Sequence, residues 1–435
     1  MLNPYWFMMI HNDGELMSKN ESDTMLGLCR VLDLTDEKGS LCSKILADLG
    51  ADVIKIEKPG GDNSRTIGPF YKNKADSSQS LFWFAYNLNK RSITLDIEKK
   101  DGQDIFLKLV LKSDFVIESF SPGYLDNLGL GYASLSTINP RLIMTSITPF
   151  GQTGPYRNYK ASDIVLMAMG GLMYITGNPD GPPLRVSIPQ AFFLASSHAV
   201  SATMVAHYYR QVTGIGQQVD VSAQQSVLAE LSNAIPLWEL NQTILKRTGS
   251  YMAGRWKGIK QRLLWPCKDG YVIFYIMGGI AGARTNRNIY KWMEEEGMAP
   301  EYFHNFAWED LDMTQQSEGM QQLMEEPIAK FFFTHTKEDL YVKGQARDIT
   351  IAPVDSPQDL LSDPQLIARR FWTDIKHDEL GTTIHYPGPF IKASETPCVM
   401  NRRAPLIGEH NLEIYENELG LSRQMIGSLK EAGVI

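Results

Sequence analysis

Chemistry in a folded chain needs nucleophiles, acids and bases at workable spacing, and this sequence offers few in any pattern. The eight histidines are isolated, and none falls between His11 and His198, so no histidine-based acid/base or nucleophile pair is written into the chain. Cys29, Cys42, Cys267 and Cys398 form no CxxC pair and no Cys/His ligand spacing, so neither a disulfide framework nor a metal site is expected. The GKS/T, HExxH and GxSxG motifs are absent, and no GxGxxG follows the first apolar strand, which argues against a nicotinamide dinucleotide. What remains is a glycine run, Gly278-Gly279-Ile280-Ala281-Gly282, Lys58 just past the second predicted strand, and Asp163 ahead of an apolar stretch. Glycines permit the backbone angles and close approach of a lid, and serve equally as a tight turn after a strand. Asp163 reads as the N-cap of the helix that follows it.

The elements that must position these residues alternate. Arg30 to Thr35 reads as a buried strand, Leu41 to Gly50 as a helix and Ala51 to Glu57 as a second strand, a βαβ unit. A helix over 101–112 and strands over 115–118 and 142–146 continue the pattern. The predicted fold class is α/β: an open parallel, Rossmann-like sheet, with ligand at the carboxyl ends of its strands, plus a smaller α+β domain. The stretch from about Gln190 to Tyr209 is nearly unbroken Ala, Ser, Phe, Val and Met, which suits a helix buried in a core or a subunit interface. We expect an N-terminal extension over 1–27, a large domain over 28–225, a small domain carrying the glycine run over 226–340, and a segment over 341–435 returning to the large domain.

The chain is 435 residues long with formal net charge −8, which leaves room for two domains and argues against a nucleic-acid groove or an anionic membrane face. No apolar run reaches the roughly 18 residues that cross a bilayer, and the apolar start at Met1–Ile10 lacks a basic flank and a cleavage pattern. With scattered cysteines, this points to a reducing cytoplasm.

Several segments in fixed order resemble the class III CoA-transferase family: Ala47-Asp48-Leu49-Gly50-Ala51-Asp52, Asn89-Lys90-Arg91-Ser92, Glu118-Ser119-Phe120-Ser121-Pro122-Gly123, Phe150-Gly151-Gln152-Thr153-Gly154-Pro155 and Pro405-Leu406-Ile407-Gly408-Glu409-His410. The resemblance implies CoA and acyl-CoA as substrates, with no tightly bound cofactor, and a small carboxylic acid as the other substrate. It places Lys58, Leu95, Ser119, Phe120 and Lys160 at CoA-contacting positions, and Gly278, Gly279 and Gly282 in a loop over the reacting acyl group. Asn127 stands where relatives have a CoA-contacting arginine, and asparagine offers no bidentate phosphate contact. The racemase branch of the same superfold needs an upstream histidine, and Ala133 stands at its position.

The family nucleophile is an aspartate at the start of the helix between a Pro-Pro turn and a T-G-x-G-Q turn. Counting from Pro183 or back from Thr213 puts Phe192 there, flanked by Ala191 and Phe193. Phenylalanine cannot attack a thioester. The resemblance therefore implies the non-nucleophilic subunit of a heteromer, in an interlocked dimer with a homologous subunit that carries the aspartate. Within the family, the heteromeric branch acting on succinyl-CoA and benzylsuccinate, in anaerobic toluene degradation, is the one it most resembles. Two alternatives stay open: a non-catalytic acyl-CoA-binding homodimer that senses or scaffolds, and a self-sufficient transferase using another carboxylate such as Asp163.

Overall fold

A computed structural model describes residues 24–253, 260–313 and 315–435, so the N-terminal extension falls, up to residue 23, outside the described residues. The chain forms two compact units, one of Met1–Ile147, Ser196–Asp220 and Thr373–Ile435, the other of Thr148–Ala195 and Val221–Trp372.

Runs of Val, Ile and Leu in the first unit form β1 (Arg30–Leu34), β2 (Asp52–Glu57), β3 (Arg91–Thr94), β4 (Phe115–Glu118) and β5 (Ile143–Thr148). Their near-continuous burial is that of strands covered on both faces. Helix α1 (Ser40–Asp48) links β1 to β2, and α2 (Lys100–Val110) links β3 to β4. Ile105, Phe106, Leu109 and Val110 recur at helical spacing on α2 and enter the main core. A Cβ at Gly102 would stand 1.9 Å from the Asp96 carbonyl oxygen, so only glycine lets α2 lie this close to its lead-in.

The sheet is completed by β6 (Gln218–Ser222) in the order β3-β2-β1-β4-β5-β6. The β1–β2, β2–β3, β1–β4 and β4–β5 pairs are parallel. Winding direction therefore reverses between β1 and β4, which in an open α/β sheet makes the crevice beyond their carboxyl ends the natural ligand site.

The long helix α3 (Ala191–Thr213) precedes β6. A helix buried in a core or a subunit interface was expected, and in the single chain one face is buried. Ala195, Ala199, Thr203, Ala206 and Arg210 form one buried stripe, where small side chains allow close approach. Thr203 is hydrogen-bonded to Thr145 (2.7 Å), and Arg210 donates to the carbonyl of Asp114 (3.1 Å). Val205, Tyr208 and Val212, on other faces, are 71%, 72% and 69% exposed.

The second unit contains an antiparallel sheet of β7 (Leu264–Cys267), β8 (Gly270–Ile273) and β9 (Ala352–Pro353), with β8 in the middle. Helices α4 (Gly279–Glu295), α5 (Glu318–Thr334) and α6 (Lys337–Gln345) accompany it. Trp265, Phe274, Trp292, Phe331 and Phe332 fill its core, and the Trp265 indole N–H donates to the Phe274 carbonyl at 2.6 Å. An open α/β sheet with a smaller α+β part is the architecture that the hydrophobic pattern predicts.

Candidate functional site

In the second unit the first residues of α3 are Ala191 and Phe192, 0% and 6% exposed. Asp163 does not cap its own helix, Asp163–Met169, whose N-cap is Ser162. Its Oδ1 instead accepts the backbone N–H groups of Gln190 and Ala191, both at 2.7 Å. The free amides at the start of a 23-residue helix attract a carboxylate more strongly than those of a 7-residue one. The carboxylate left in this part of the chain is thus held by α3, and residues 191–195 are Ala, Phe, Phe, Leu and Ala, with nothing nucleophilic among them.

The glycine run also departs from the expected loop. Gly278 is the N-cap of α4, and Gly279 (φ +67°) its first residue, with its N–H bonded to the Leu311 carbonyl at 2.8 Å. Gly282 is buried in the first turn, where a Cβ would lie 1.9 Å from the Met277 carbonyl oxygen. The first two glycines thus serve the start of a 17-residue helix, Gly279–Glu295. Lys160 is exposed in the same unit.

The other sequence-predicted residues line the carboxyl edge of the sheet in the first unit. Lys58 follows β2, and its ammonium contacts Glu98 at 2.8 Å, the two side chains being 57% and 49% exposed. The Tyr124 hydroxyl donates to the same Glu98 oxygen at 2.6 Å, and Lys58 and Tyr124 together hold the Glu98 carboxyl below its ordinary range. The Phe120 ring packs at a tilt against Tyr124, with ring centroids 4.5 Å apart. Ser119 accepts the Asp36 N–H at 3.0 Å and donates to Asp36 Oδ1 at 2.8 Å, joining the loop after β1 to the end of β4. Asp36 in turn pairs with Lys38. Leu95 is 1% exposed and belongs to the main core. Lys58, Ser119 and Phe120 thus come together at one sheet edge, whereas Leu95 lies beneath it. Sequence reasoning missed Glu98, Asp36 and Tyr124; a signal was present for Asp36, just past the end of the first predicted strand, whereas the strand that precedes Glu98 was not predicted.

Below this edge lies a buried charge network. Asp33, fully buried on β1, receives Lys90 Nζ (2.9 Å), Ser43 Oγ (2.6 Å) and both the N–H (2.9 Å) and the hydroxyl (2.7 Å) of Thr35. Burial alone would raise its carboxyl, but the Lys55 and Lys90 ammoniums outweigh it and hold Asp33 well below the usual carboxylate range. Glu118, at the end of β4, shows the opposite balance. Burial pushes it up to about 7, against the Ser146 hydroxyl and the Phe120 N–H, which donates to it at 2.8 Å. Because its folded-state pKa exceeds the unfolded value near 4.3, the native chain binds more protons between the two values, and stability falls as pH rises through that window. Glu118→Gln is therefore expected to raise stability at pH 8 by up to about 3 kcal/mol and to flatten the pH profile between about 4 and 7, read from urea midpoints. An unchanged profile would show that another group carries the slope.

Among the described residues, no group of three or more His, Cys, Asp or Glu could hold a metal ion. No described helix is long and apolar enough to cross a membrane.

An open α/β sheet with these motifs along its carboxyl edge defines a class, and comparison with known proteins gives the same one. The profile of CoA-transferase family III matches residues 27–411, and the chain belongs to that family. It is 35% identical over 411 residues to the BbsE subunit of succinyl-CoA:(R)-benzylsuccinate CoA-transferase from Thauera aromatica, covering 93% of this chain and 97% of that protein. It is 34% identical over 423 residues to succinyl-CoA–D-citramalate CoA-transferase from Chloroflexus aurantiacus, covering 96% and 100%. Among solved structures it resembles a CAIB/BAIF family protein from Brucella suis, with TM-score 0.75 and 28% identity over 89% of this chain and 98% of that one. Proteins of this family use CoA thioesters as substrates, not as resident cofactors.

Proposed function

We propose that this chain is the non-nucleophilic subunit of a heteromeric class III CoA-transferase, completed by a homologous subunit that bears aspartate where this one has Phe192. The observation that carries the reading is Phe192 itself, buried at the second position of α3, with the nearby Asp163 carboxylate committed to two backbone amides. In the partner, the aspartate attacks the donor thioester carbon, expelling CoA thiolate and leaving a mixed anhydride. The thiolate then attacks the aspartyl carbonyl and frees the donor carboxylate. The acceptor carboxylate repeats the two steps in reverse order, so that CoA leaves on the acceptor, the aspartate is regenerated and no net proton is exchanged.

The partner surface we assign includes the outer faces of α3 and the turn after it, where Val205, Tyr208, Val212 and Ile215 are 71%, 72%, 69% and 58% exposed. Large apolar groups in one patch favour a protein partner, and an interlocked dimer with the homologous subunit would cover them. Likeness to BbsE favours succinyl-CoA as donor and an (R)-benzylsuccinate-type diacid as acceptor. By the family resemblance, Lys58, Leu95, Ser119 and Phe120 of the first unit correspond to CoA-contacting positions, as does Lys160 in the second unit, and Gly278, Gly279 and Gly282 correspond to the relatives' glycine loop. The four free cysteines, none in a disulfide, fit work in the cytoplasm.

The test is expression of this chain alone and together with its homologue, assaying CoA transfer from succinyl-CoA to (R)-benzylsuccinate. Transfer only on co-expression is expected, with the lone chain at least about a thousandfold lower, the scale of losing a covalent nucleophile. Turnover by the lone chain that disappears in Asp163→Ala would overturn the reading. CoA binding with no active partner at all would favour the sensor instead.

A further inference from the structure

We infer that Glu98 closes the nucleotide seat of this subunit by occupying the cation that would otherwise bind a CoA phosphate. The inference rests on the division of labour proposed above, and it gives this subunit a physical means of staying unoccupied.

The reversal of strand order puts the ligand crevice of the first unit beyond the carboxyl ends of β1 and β4. An anionic nucleotide entering there needs free cations or amide donors. The cations around this edge are engaged by carboxylates of the same chain: Lys38 by Asp36, Lys58 by Glu98, Lys55 by Asp62 (3.2 Å) and Arg65 by Glu57 (2.7 Å). The crevice itself is bridged by the Ser119–Asp36 hydrogen bonds, and Glu37 and Glu118 add carboxyl groups on its two sides. Of these pairings, Lys55 and Arg65 are buried structural contacts, 1% and 2% exposed on their side chains. Lys38 is 20% exposed and Lys58 57%, so Lys58 is the more open of these cations to a solvent-borne phosphate, and Glu98 holds it.

The contact is more than a chance surface pair. One Glu98 oxygen takes both the Lys58 ammonium, just past β2, and the hydroxyl of Tyr124, beyond β4, whose ring packs against Phe120. An exposed pair alone contributes little to stability. Its effect on an incoming ligand is larger, because a phosphate must displace a bound carboxylate and then lie beside its negative charge. Glu98 is thus a specificity-determining residue: it turns a cationic seat into a neutral one.

The experiment is calorimetric titration of CoA into the full chain, without acceptor or acyl donor, at about 50 mM salt, where screening is moderate. Wild type, Glu98→Gln, Lys58→Met and the double variant are compared. Glu98→Gln is expected to tighten CoA about five- to tenfold, the effect of removing one charge near the phosphate. Lys58→Met alone should change affinity less than about twofold, yet erase most of the gain in the Glu98→Gln background. Equal or weaker CoA binding by Glu98→Gln, including none detectable, would overturn the inference, as would a large loss in Lys58→Met alone. These outcomes are separable from those of the proposed function. Turnover by the lone chain would refute the division of labour and leave the affinity comparison intact, whereas unchanged affinities would refute only the role of Glu98.

Discussion

Asp33→Asn is expected to destabilise the first unit by about 3–5 kcal/mol, the cost of breaking a buried ion pair from one side. Asp33 and Lys90 are both 0% exposed, and neutralising the carboxylate leaves the Lys90 ammonium with only neutral partners: the Ser40 carbonyl, the Ser43 hydroxyl and the Asn87 amide oxygen. Lys55 loses a carboxylate 3.9 Å away but keeps Asp62 at 3.2 Å, so the damage concentrates on Lys90. Urea denaturation at neutral pH reads the loss directly. Adding Lys90→Met should recover a substantial part of it, because an apolar replacement removes the stranded charge along with its need for a partner. A double variant less stable than Asp33→Asn would show that Lys90 has an independent role. The pH sign is fixed by the depressed carboxyl: the contribution of Asp33 is fully present above the unfolded value near 3.9 and is lost as pH falls through the lower folded value. Wild type should therefore lose this part of its stability only in strong acid, and the variant should lack that acid limb.

Phe192→Asp is expected to lower stability by about 3 kcal/mol or more without creating a nucleophile. The phenyl ring is 6% exposed, so the change removes apolar burial and inserts a carboxylate at the same place. Helix N-terminal amides would ordinarily welcome it, but Asp163 already accepts those of Gln190 and Ala191, and the new carboxylate would meet a like charge there. Its folded-state pKa should then exceed the unfolded value, so the deficit grows as pH rises from about 4 toward that pKa. Urea midpoints at pH 5 and 8 test this, with the larger loss expected at pH 8. Intact-mass analysis after exposure to succinyl-CoA should show no covalent adduct. Wild-type stability in the variant would mean that the space at residue 192 is solvated, and an adduct would mean that the site needs only its aspartate.

Much of this architecture was legible in the linear chain because it depends on local patterns. Apolar runs with two-residue and helical periods specify the strands and helices of the first unit to within a few residues, as β4 over Phe115–Glu118 shows. Residue identity also carries the proposal: by count from Pro183 and from Thr213, the resemblance assigns Phe192 to the nucleophile position, and phenylalanine has no lone pair to donate. The glycine run and α3 were harder, because glycine serves lids and helix starts alike, and because an apolar helix face does not declare whether it meets its own chain or another.

What the sequence by itself determined is therefore the fold class and the family motifs, since strand and helix periodicity and side-chain chemistry are properties of neighbouring residues. Only the tertiary structure decided how the charged groups are used. Asp163 serves amides 27 and 28 positions away, Ser119 bridges to Asp36 across 83, and Glu98 holds Lys58 across 40. The Ser119–Asp36 bridge follows from the order in which the strands assemble, which brings the ends of β1 and β4 side by side though three α-helices and two strands lie between them in the chain. Periodicity carries no record of that order, and so the sequence showed Lys58 just past a strand end, while the fold showed that Glu98 holds it.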